Sequence, residues 1–332
     1  MVKYKRALDV LSNALHLQQK QNVMAAIDTI EDPTVRQQEQ ARFKSQTAKH
    51  SIATTFATVP IRAHNKAFDG NIFRLAALRT LGAEKYTPTC AACKKAGMAG
   101  GTKHARTCMG EGMAGQDTVI HNKMNREFMH CTTLCTGQQP TPETTVMFID
   151  DEELDLRMDH VNSADAFPQT APVRPEYSKQ TACDYTYFNE QCPSHLQQAA
   201  VDPLAYCAQL ETGKENHYGD HYDHQRYTLV ALATGSFGCL GRAQVRHINA
   251  LATEYVARRG FRVDGELPAD AVARYRSSAL AMIRGRLSIA LHTAVSAKVE
   301  KYLAIAKSAG GQDGLALDLE QQAMPVDGLW DL

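Results

Sequence analysis

The sequence has no excess of charge of either sign, because 36 basic and 36 acidic residues balance one another in a chain of 332. This balance argues against a protein coated with basic side chains for nucleic-acid binding, although a local basic groove is compatible with it. No apolar run approaches the length of a membrane span, and the first residues lack the apolar core of a secretory signal. We therefore expect no membrane partner.

Several motifs of nucleotide chemistry are missing as well. The sequence contains no internal repeat, no phosphate-binding P-loop and no glycine fingerprint of dinucleotide-binding proteins. The acidic pair that follows a tyrosine in many polymerases is also missing. The hydrophobic fraction of 44% is nevertheless enough for a real core, and the length fits one large domain or two ordinary ones.

Cysteine is present, but its pattern is that of a metal site. Nine cysteines in a chain this long, with three of them near one histidine, indicate a reducing compartment rather than a disulfide framework. In TPTCAACKKAGMAGGTKHARTCMG (87–110), Cys90 and Cys93 are separated by two residues, and His104 and Cys108 lie one helical turn apart. Three thiolates and one imidazole make the closed tetrahedral set of structural zinc. The alternative is a reduced cluster without metal.

The other cysteines have no such partner. They are predicted to be small buried side chains: Cys131, Cys135, Cys183, Cys192, Cys207 and Cys239. The first two have helical spacing and form a rival metal-binding pair, but no nearby residue completes that site.

Two segments farther along the chain are predicted to be strands that each carry one aspartate. LRMDHV (156–161) and CDYTYF (183–188) alternate aromatic or β-branched residues with polar ones. Their aspartates are Asp159 and Asp184. Two carboxylates on neighbouring strands can hold a divalent metal such as Mg²⁺ through oxygen ligands.

A predicted helix, ETGKENHY (211–218), supplies a basic side chain that could act with these carboxylates. Glu211, Lys214 and Tyr218 are three and four residues apart and therefore share one helix face. A lysine beside two carboxylates can hold an attacking water and neutralise charge that builds on a phosphate. On spacing alone, aspartates at strand ends and a solvated helix face are the simpler interpretation.

These segments together resemble the C-terminal region of protist non-LTR retrotransposon polyproteins, over residues 87 to 303. In that family a zinc knuckle precedes a restriction-endonuclease-like domain of the PD-(D/E)xK type. Phrases such as LRMDIV, LLDVT, E..K..HY and ESFG.LG follow one another there, and the counterparts here are LRMDHV, ACDYTYFNE, ETGKENHY and YTLVALATGSFGCLG. The resemblance implies an α+β fold with a small mixed sheet flanked by helices. It also implies Asp159, Asp184 and Lys214 as catalytic residues with Mg²⁺.

The chain departs from the family pattern at several positions. His160 stands where the family has an apolar residue, and Thr186 stands where the lysine of the usual second-strand motif would be. The family glutamate near Gly235 is missing. Two other acidic residues are alternatives to Asp159 or additions to the site: Glu176 in an Arg-Pro-Glu phrase and Glu143 on the loop and strand before it.

A helix predicted over 117–135 carries a His-Asn phrase that the family also has. Four of its side chains are candidates for contact with a phosphate backbone: His121, Asn122, Lys123 and Arg126. The same residues could equally cap or decorate the helix. The implied partner is nucleic acid, either DNA or RNA.

The sequence thus predicts five regions. These are a helical part (1–86), a CCHC knuckle with the following helix (87–135), a restriction-endonuclease-like domain (136–262), C-terminal helices (263–310) and a flexible tail (311–332). The predicted function is a Mg²⁺-dependent DNA endonuclease. The alternative is a catalytically inactive, domesticated copy that serves as a nucleic-acid-binding or structural subunit of a larger protein or ribonucleoprotein assembly. The resemblance implies a nuclear location, with an organelle as the alternative.

Overall fold

The computed structural model describes residues 2–58, 70–82, 86–89, 92–93, 96–145, 148, 156–260 and 269–308. The first part of the chain contains α1 (Val2–Asp28), α2 (Pro33–Thr47), α3 (Thr55–Thr58), α4 (Gly70–Leu81), β1 (Tyr86–Thr89), β2 (Ala96–Gly101) and α5 (Thr102–Ala105). The second contains α6 (Gln116–Thr136), β3 (Thr141–Thr144), β4 (Met158–Asn162), β5 (Gln180–Phe188), α7 (Leu196–Val201), α8 (Pro203–Tyr218), β6 (Tyr227–Gly235), α9 (Arg242–Gly260) and α10 (Ala269–Ser308). The described chain is therefore a mixed α+β protein.

The central sheet has four strands in the order β3-β4-β5-β6. The pairs β3–β4 and β4–β5 are antiparallel, whereas β5 and β6 run parallel along nine residue pairs. Parallel neighbours need a crossover connection, and α7 and α8 provide it. This confirms the predicted small mixed sheet flanked by helices.

The main hydrophobic core lies between one face of this sheet and three helices. Each of α6, β5, β6, α9 and α10 contributes apolar side chains to this core, and one large example from each is, in that order, Phe128, Tyr185, Leu232, Leu251 and Leu291. The other face of the sheet is covered by α8, where Cys207 and Tyr218 pack on apolar side chains of the strands. Among the described residues, no helix combines the length and apolar character that crossing a bilayer requires.

The helix boundaries follow ordinary capping chemistry. Proline suits the first turn of a helix, so the sequence predicts a helical hairpin broken near Asp32 and Pro33. The structure confirms this break, since the Asp32 carboxylate accepts from Thr34 N at 2.8 Å and from Val35 N at 3.0 Å. The amphipathic segment NIFRLAALRTLG (71–82) predicts a helix that ends at Gly82; α4 ends at Leu81, and Gly82 adopts a φ of 72°.

Three local predictions are wrong. The C-terminal helices predicted from residue 263 are one continuous helix, α10, because Gly285 lies inside a well-packed segment and does not break it. The sequence predicts a helix that starts at Pro193, but the structure has two helices, α7 and α8, and Asp202 caps the second one. The sequence also predicts that the loop rich in Gly and Lys between Cys93 and His104 needs no structure of its own, but this loop contains β2 paired with β1.

Some predicted elements lie outside the described residues. The strand VMFID (146–150) is described only at Phe148, which forms an isolated bridge with Tyr222. The tail from 311 to 332 also lies outside the described part of the chain.

Candidate functional site

Asp159 and Asp184 lie next to each other at the point where β4 and β5 part. The antiparallel pairing of these strands ends at His160 and Cys183, and each aspartate is the next residue on its strand. The two carboxyl groups are close enough to share a hydrogen bond. Both side chains are largely buried, since only 15% of Asp159 and 6% of Asp184 is exposed. The structure therefore brings the two predicted acidic residues together.

The parting of the strands also explains how Asp159 is held in place. The Tyr185 N–H, just beyond the paired region, donates to Asp159 Oδ2 at 2.6 Å. The Asn125 amide on α6 donates to the Asp159 carbonyl at 3.2 Å, and Asn125 Oδ1 lies 2.7 Å from His160 Nδ1. Burial lowers the pKa of His160 to about 4, so its ring is neutral and Nδ1–H can donate to Asn125. His160, which departs from the family pattern, thus forms a hydrogen bond that connects β4 to α6.

Lys214 reaches the carboxylates from α8. Its Nζ lies 2.7 Å from Asp184 Oδ2 and 5.7 Å from the centre of the Tyr218 ring, one helical turn later. The Tyr218 hydroxyl also hydrogen-bonds to Asp184. Glu211, predicted on the same face, accepts instead from Ala243 N at 3.1 Å at the start of α9. Lys214 and Tyr218 therefore belong to the site, and Glu211 caps a neighbouring helix.

His121 joins the pair from α6. Its Nε2 lies 3.1 Å from Asp159 Oδ2, and its Nδ1 lies 3.0 Å from Asn122 Oδ1. The ring is also in tilted contact with Tyr185 at 5.5 Å between centroids. His121 was predicted as a nucleic-acid contact, but the structure places it against the carboxylates. The local sequence carried only the His-Asn phrase as a signal for this position.

The electrostatics of the site separate the two aspartates. Burial would raise the pKa of Asp159, but the hydrogen bond and charge of His121 outweigh this effect and hold the pKa below its usual value. Burial raises the pKa of Asp184 and the negative charge of Asp159 adds to it, although Lys214 acts in the opposite direction. Burial would lower the pKa of His121, but the bond to Asp159 raises it to about 9. The site therefore contains two adjacent carboxyl groups, each paired with one basic side chain: Asp159 with His121 and Asp184 with Lys214.

The donor set suits a divalent cation. One ligand atom from each of His121, Asp159 and Asp184 lies within 4.8 Å of the other two. Carboxylate oxygens accept hard divalent ions, and an imidazole nitrogen extends the range to transition metals. These residues can therefore hold a metal ion at the point where β4 and β5 part.

The remaining candidates for nucleic-acid contact lie beside this cluster on α6. Asn122 and Arg126 are exposed, and Arg126 Nε donates to the Asn122 carbonyl at 3.1 Å. Both line a cavity of about 340 Å³ together with Pro142 and Glu143 of β3. Lys123 is half-buried on the same helix. A groove thus runs between α6 and β3, and Asn122, which lines it, contacts the ring of His121.

The two alternative acidic residues take other positions. Glu143 is exposed on β3, and the pairing of Pro142 with His160 and of Thr144 with Met158 places it opposite Asp159. Glu176 is exposed on a short 3-10 turn before β5. Glu143 therefore flanks the site, whereas Glu176 is not part of the cluster.

A buried glutamate that the sequence did not single out occupies the position next to Gly235. Glu190 accepts hydrogen bonds from Ser45 Oγ at 2.5 Å, from Ser236 Oγ at 2.7 Å and from Phe237 N at 3.2 Å. A Cβ atom at Gly235 would collide with its carboxylate. Glycine is therefore required there, because Glu190 fills the space that a side chain would need.

A second cluster of side chains that could hold a metal ion lies in the segment predicted to form the knuckle. The donor atoms of Cys93, His104 and Cys108 lie within 4.8 Å of one another, and Cys93 Sγ is 3.5 Å from His104 Nε2. The Gly110 N–H donates to Cys108 Sγ at 3.4 Å. Cys90, the fourth predicted ligand, lies outside the described residues. Three of the four predicted ligands can therefore face one ion.

The backbone at Gly110 packs closely against the backbone of Ala92 and Cys93. A Cβ atom on Gly110 would lie 2.5 Å from the carbonyl carbon of Ala92 and 2.6 Å from Cys93 N. His104 also meets the ring of Tyr302 edge-on, at 6.2 Å between centroids. The segment that carries Cys108 thus packs closely against the segment that carries Cys93, and His104 contacts α10 through Tyr302.

Comparison with known proteins adds no further assignment to these two clusters. No protein-family model matches the chain, and no curated protein and no solved structure is significantly similar to it.

Proposed function

We propose that the protein is a metal-dependent endonuclease-like domain that hydrolyses phosphodiester bonds, with Asp159, Asp184 and Lys214 as its catalytic set. The convergence of two strand aspartates and one helix lysine where β4 and β5 part is the observation that supports this proposal. A small mixed sheet flanked by helices agrees with the restriction-endonuclease-like core that the resemblance to retrotransposon polyproteins implies.

The residues have separable roles in this proposal. Asp159 and Asp184 would hold the divalent ion, which the resemblance implies to be Mg²⁺ and which supplies positive charge for a phosphate oxygen. Lys214 keeps its ammonium group 2.7 Å from Asp184, so a phosphate at the carboxylates meets a second positive charge. Tyr218 supports both Asp184 and Lys214 and is a positioning residue.

Hydrolysis at this site balances without a redox partner. A water oxygen bonds to phosphorus, one phosphorus–oxygen ester bond breaks, and the water loses the proton that the leaving oxygen gains. The charge that builds on the phosphate oxygens is the quantity that Lys214 stabilises, and removal of such a group costs a factor of about 10² to 10³ in rate.

The groove along α6 fits the proposed substrate. Asn122 and Arg126 are exposed in this groove, one and five residues after His121 on α6, and offer an amide and a guanidinium to a sugar–phosphate backbone. Such contacts position a strand without reading its sequence, so DNA and RNA are both compatible with the groove.

For the knuckle we propose structural zinc on Cys93, His104 and Cys108, with Cys90 as fourth ligand. A thiolate-rich set with one imidazole is selective for this ion, and a closed site supports folding rather than chemistry. Elemental analysis of the purified chain tests the assignment. About one zinc per chain is expected for a closed site, and less than about half an ion contradicts it.

Nicking of supercoiled plasmid DNA tests the endonuclease. The wild type with Mg²⁺ or Mn²⁺ is expected to produce open circles at a rate at least about 100-fold above that of Asp184→Asn. His16→Gln is the matched control, because His16 is exposed on α1. Equal rates in the wild type and Asp184→Asn, or no nicking by either protein, contradict the proposal.

One observation favours a second function. Each carboxylate has a cationic side chain as partner, Asp159 with His121 and Asp184 with Lys214. Such a network is complete without an ion, as in an inactive domesticated copy that binds nucleic acid or supports a larger assembly. Fluorescence anisotropy with labelled duplex DNA and RNA separates the two functions. Tight binding without cleavage supports the second, and weakening of that binding by Arg126→Ala assigns it to the groove on α6.

A further inference from the structure

We infer that His121 is the third protein ligand of the ion at Asp159 and Asp184, and that this nitrogen gives the site a preference for Mn²⁺ over Mg²⁺. The inference rests on the proposed function only in placing a divalent ion between the two carboxylates. The inference adds a ligand that comes from α6 rather than from the sheet, and this ligand sets the preference between Mn²⁺ and Mg²⁺.

The first step is distance. His121 Nε2 is 3.1 Å from Asp159 Oδ2, and the donor atoms of His121, Asp159 and Asp184 all lie within 4.8 Å of one another. Ligand atoms that bind one ion at about 2.0–2.2 Å are necessarily less than about 4.5 Å apart. Only small side-chain adjustments are therefore needed for all three atoms to meet a common ion.

The second step is the orientation of the imidazole. Asn122 Oδ1 lies 3.0 Å from His121 Nδ1, and an amide oxygen can only accept a hydrogen bond. Nδ1 therefore keeps its proton, so an ion that displaces the second proton, on Nε2, meets the lone pair of the nitrogen that faces Asp159. Metal-binding histidines are typically held in this way by an acceptor on the second ring nitrogen. The Tyr185 ring, 5.5 Å away, packs against the imidazole and limits its rotation.

The third step is the rigidity of the other ligands. Asp159 receives a backbone hydrogen bond from Tyr185 at 2.6 Å, and its own carbonyl is held by Asn125. Asn125 lies one turn after His121 on α6, so the same helix fixes both the imidazole and the strand that carries Asp159. Ligands that are held before the ion arrives lose little conformational entropy when it binds.

The nature of the donors sets the preference. Mg²⁺ favours all-oxygen surroundings with several waters, whereas imidazole suits transition metals. Two carboxylates and one imidazole accept Mn²⁺ without an unfavourable ligand. With His121 as a ligand, the wild type should bind Mn²⁺ at least about tenfold more tightly than Mg²⁺, and Asn122→Ala, which frees the ring, should weaken Mn²⁺ binding by about 10- to 100-fold.

The test is Mn²⁺ binding to the full, zinc-loaded chain, followed by electron paramagnetic resonance. Mn²⁺ bound to the wild type should show the spin-echo modulation of a directly coordinated imidazole nitrogen. His121→Gln should lose this modulation, and His16→Gln should keep it. Asp184→Asn, which leaves the knuckle intact, should lose most of the bound Mn²⁺ and so assigns the signal to this site.

The outcomes distinguish a failure of the His121 assignment from a failure of the proposed endonuclease function. Bound Mn²⁺ without nitrogen modulation, or with modulation that survives in His121→Gln, overturns the third ligand and leaves the two-carboxylate site intact. Mn²⁺ affinity no greater than that for Mg²⁺ overturns the preference. An absence of Mn²⁺ and Mg²⁺ binding at millimolar concentration overturns the ligand assignment and the metal-dependent endonuclease together.

Discussion

Lys214 Nζ lies 2.7 Å from Asp184 Oδ2 and so joins α8 to the strand at the centre of the candidate site. Asp184 is 6% exposed and already lies beside a second carboxyl group, that of Asp159. Burial of two acids in contact is unfavourable unless positive charge lies close by. The lysine is therefore expected to stabilise the fold whether or not it takes part in chemistry.

Lys214→Met tests this coupling. The variant leaves Asp184 without its nearest cation, so the pKa of that carboxyl should rise further and the free energy of unfolding should fall by about 1–3 kcal/mol. Urea denaturation at neutral pH measures the change. Lys214→Arg keeps the charge and should retain most of the stability. If Lys214→Met is as stable as the wild type, the ion pair contributes nothing to the fold.

Local patterns predict the two strands and the helix that carry Asp159, Asp184 and Lys214, and helical spacing places Lys214 and Tyr218 on one face. Spacing alone does not bring the three side chains together, and that expectation comes from the resemblance to retrotransposon polyproteins. His121 could not be assigned in this way. Its approach depends on how α6 crosses the sheet, which is a property of the packed core and not of the spacing in the sequence.

The same distinction explains the errors. The C-terminal segment is predicted to be a pair of helices, yet α10 continues through Gly285, because packing against α6 and α9 outweighs the low helix propensity of glycine. Glu211 shares a face with Lys214, yet it contacts the start of α9 rather than the carboxylates. Sequence spacing predicts which residues share a face but does not identify the element that this face meets.

The contact of Glu211 with α9 leads to a prediction that is independent of function. Its Oε1 accepts from Ala243 N at 3.1 Å, and a negative charge at a helix N-terminus is favourable. Glu211→Ala should lower the free energy of unfolding by about 1–2 kcal/mol in urea. Glu215→Ala, on the exposed face of the same helix, should change it by less than about 0.5 kcal/mol. Equal effects of the two substitutions argue against a cap.

The proposed zinc site should lose its metal when Gly110 is replaced by alanine. A Cβ atom on Gly110 would lie 2.5 Å from backbone atoms of Ala92, which cannot move without displacing Cys93. Gly110→Ala should therefore reduce bound zinc from about one ion per chain to less than half, as measured by elemental analysis. Gly213→Ala is the control, because no atom lies within 4 Å of a Cβ there. Full zinc occupancy in Gly110→Ala contradicts the tight backbone approach.

His247 should make the fold sensitive to acid. The ring is fully buried on α9, its Nδ1 lies 3.3 Å from the Tyr177 hydroxyl, and Phe167 packs beside it. Burial, together with a smaller contribution from the charge of a protonated His160, lowers the pKa of His247 to about 3. In the unfolded chain the pKa of histidine is about 6.5.

The sign of the effect follows from this difference. Above pH 6.5 His247 is neutral in both states and contributes no pH dependence. Below pH 6.5 only the unfolded state binds the proton, so the free energy of unfolding falls by about 1.4 kcal/mol per pH unit, until the folded state also binds it near pH 3. Between pH 6.5 and pH 5 the loss from this residue is therefore about 2 kcal/mol.

His247→Gln separates this linkage from packing. The substitution lowers stability at pH 7, because it disturbs a filled site, but it removes one titrating group. The slope of unfolding free energy between pH 6 and pH 5, from urea titrations, should therefore be shallower by about 1 kcal/mol per pH unit than in the wild type. His16→Gln, which is exposed on α1, should leave the slope unchanged. Parallel curves for the wild type and His247→Gln would contradict the prediction, because they would mean that the buried ring is already protonated in the folded state.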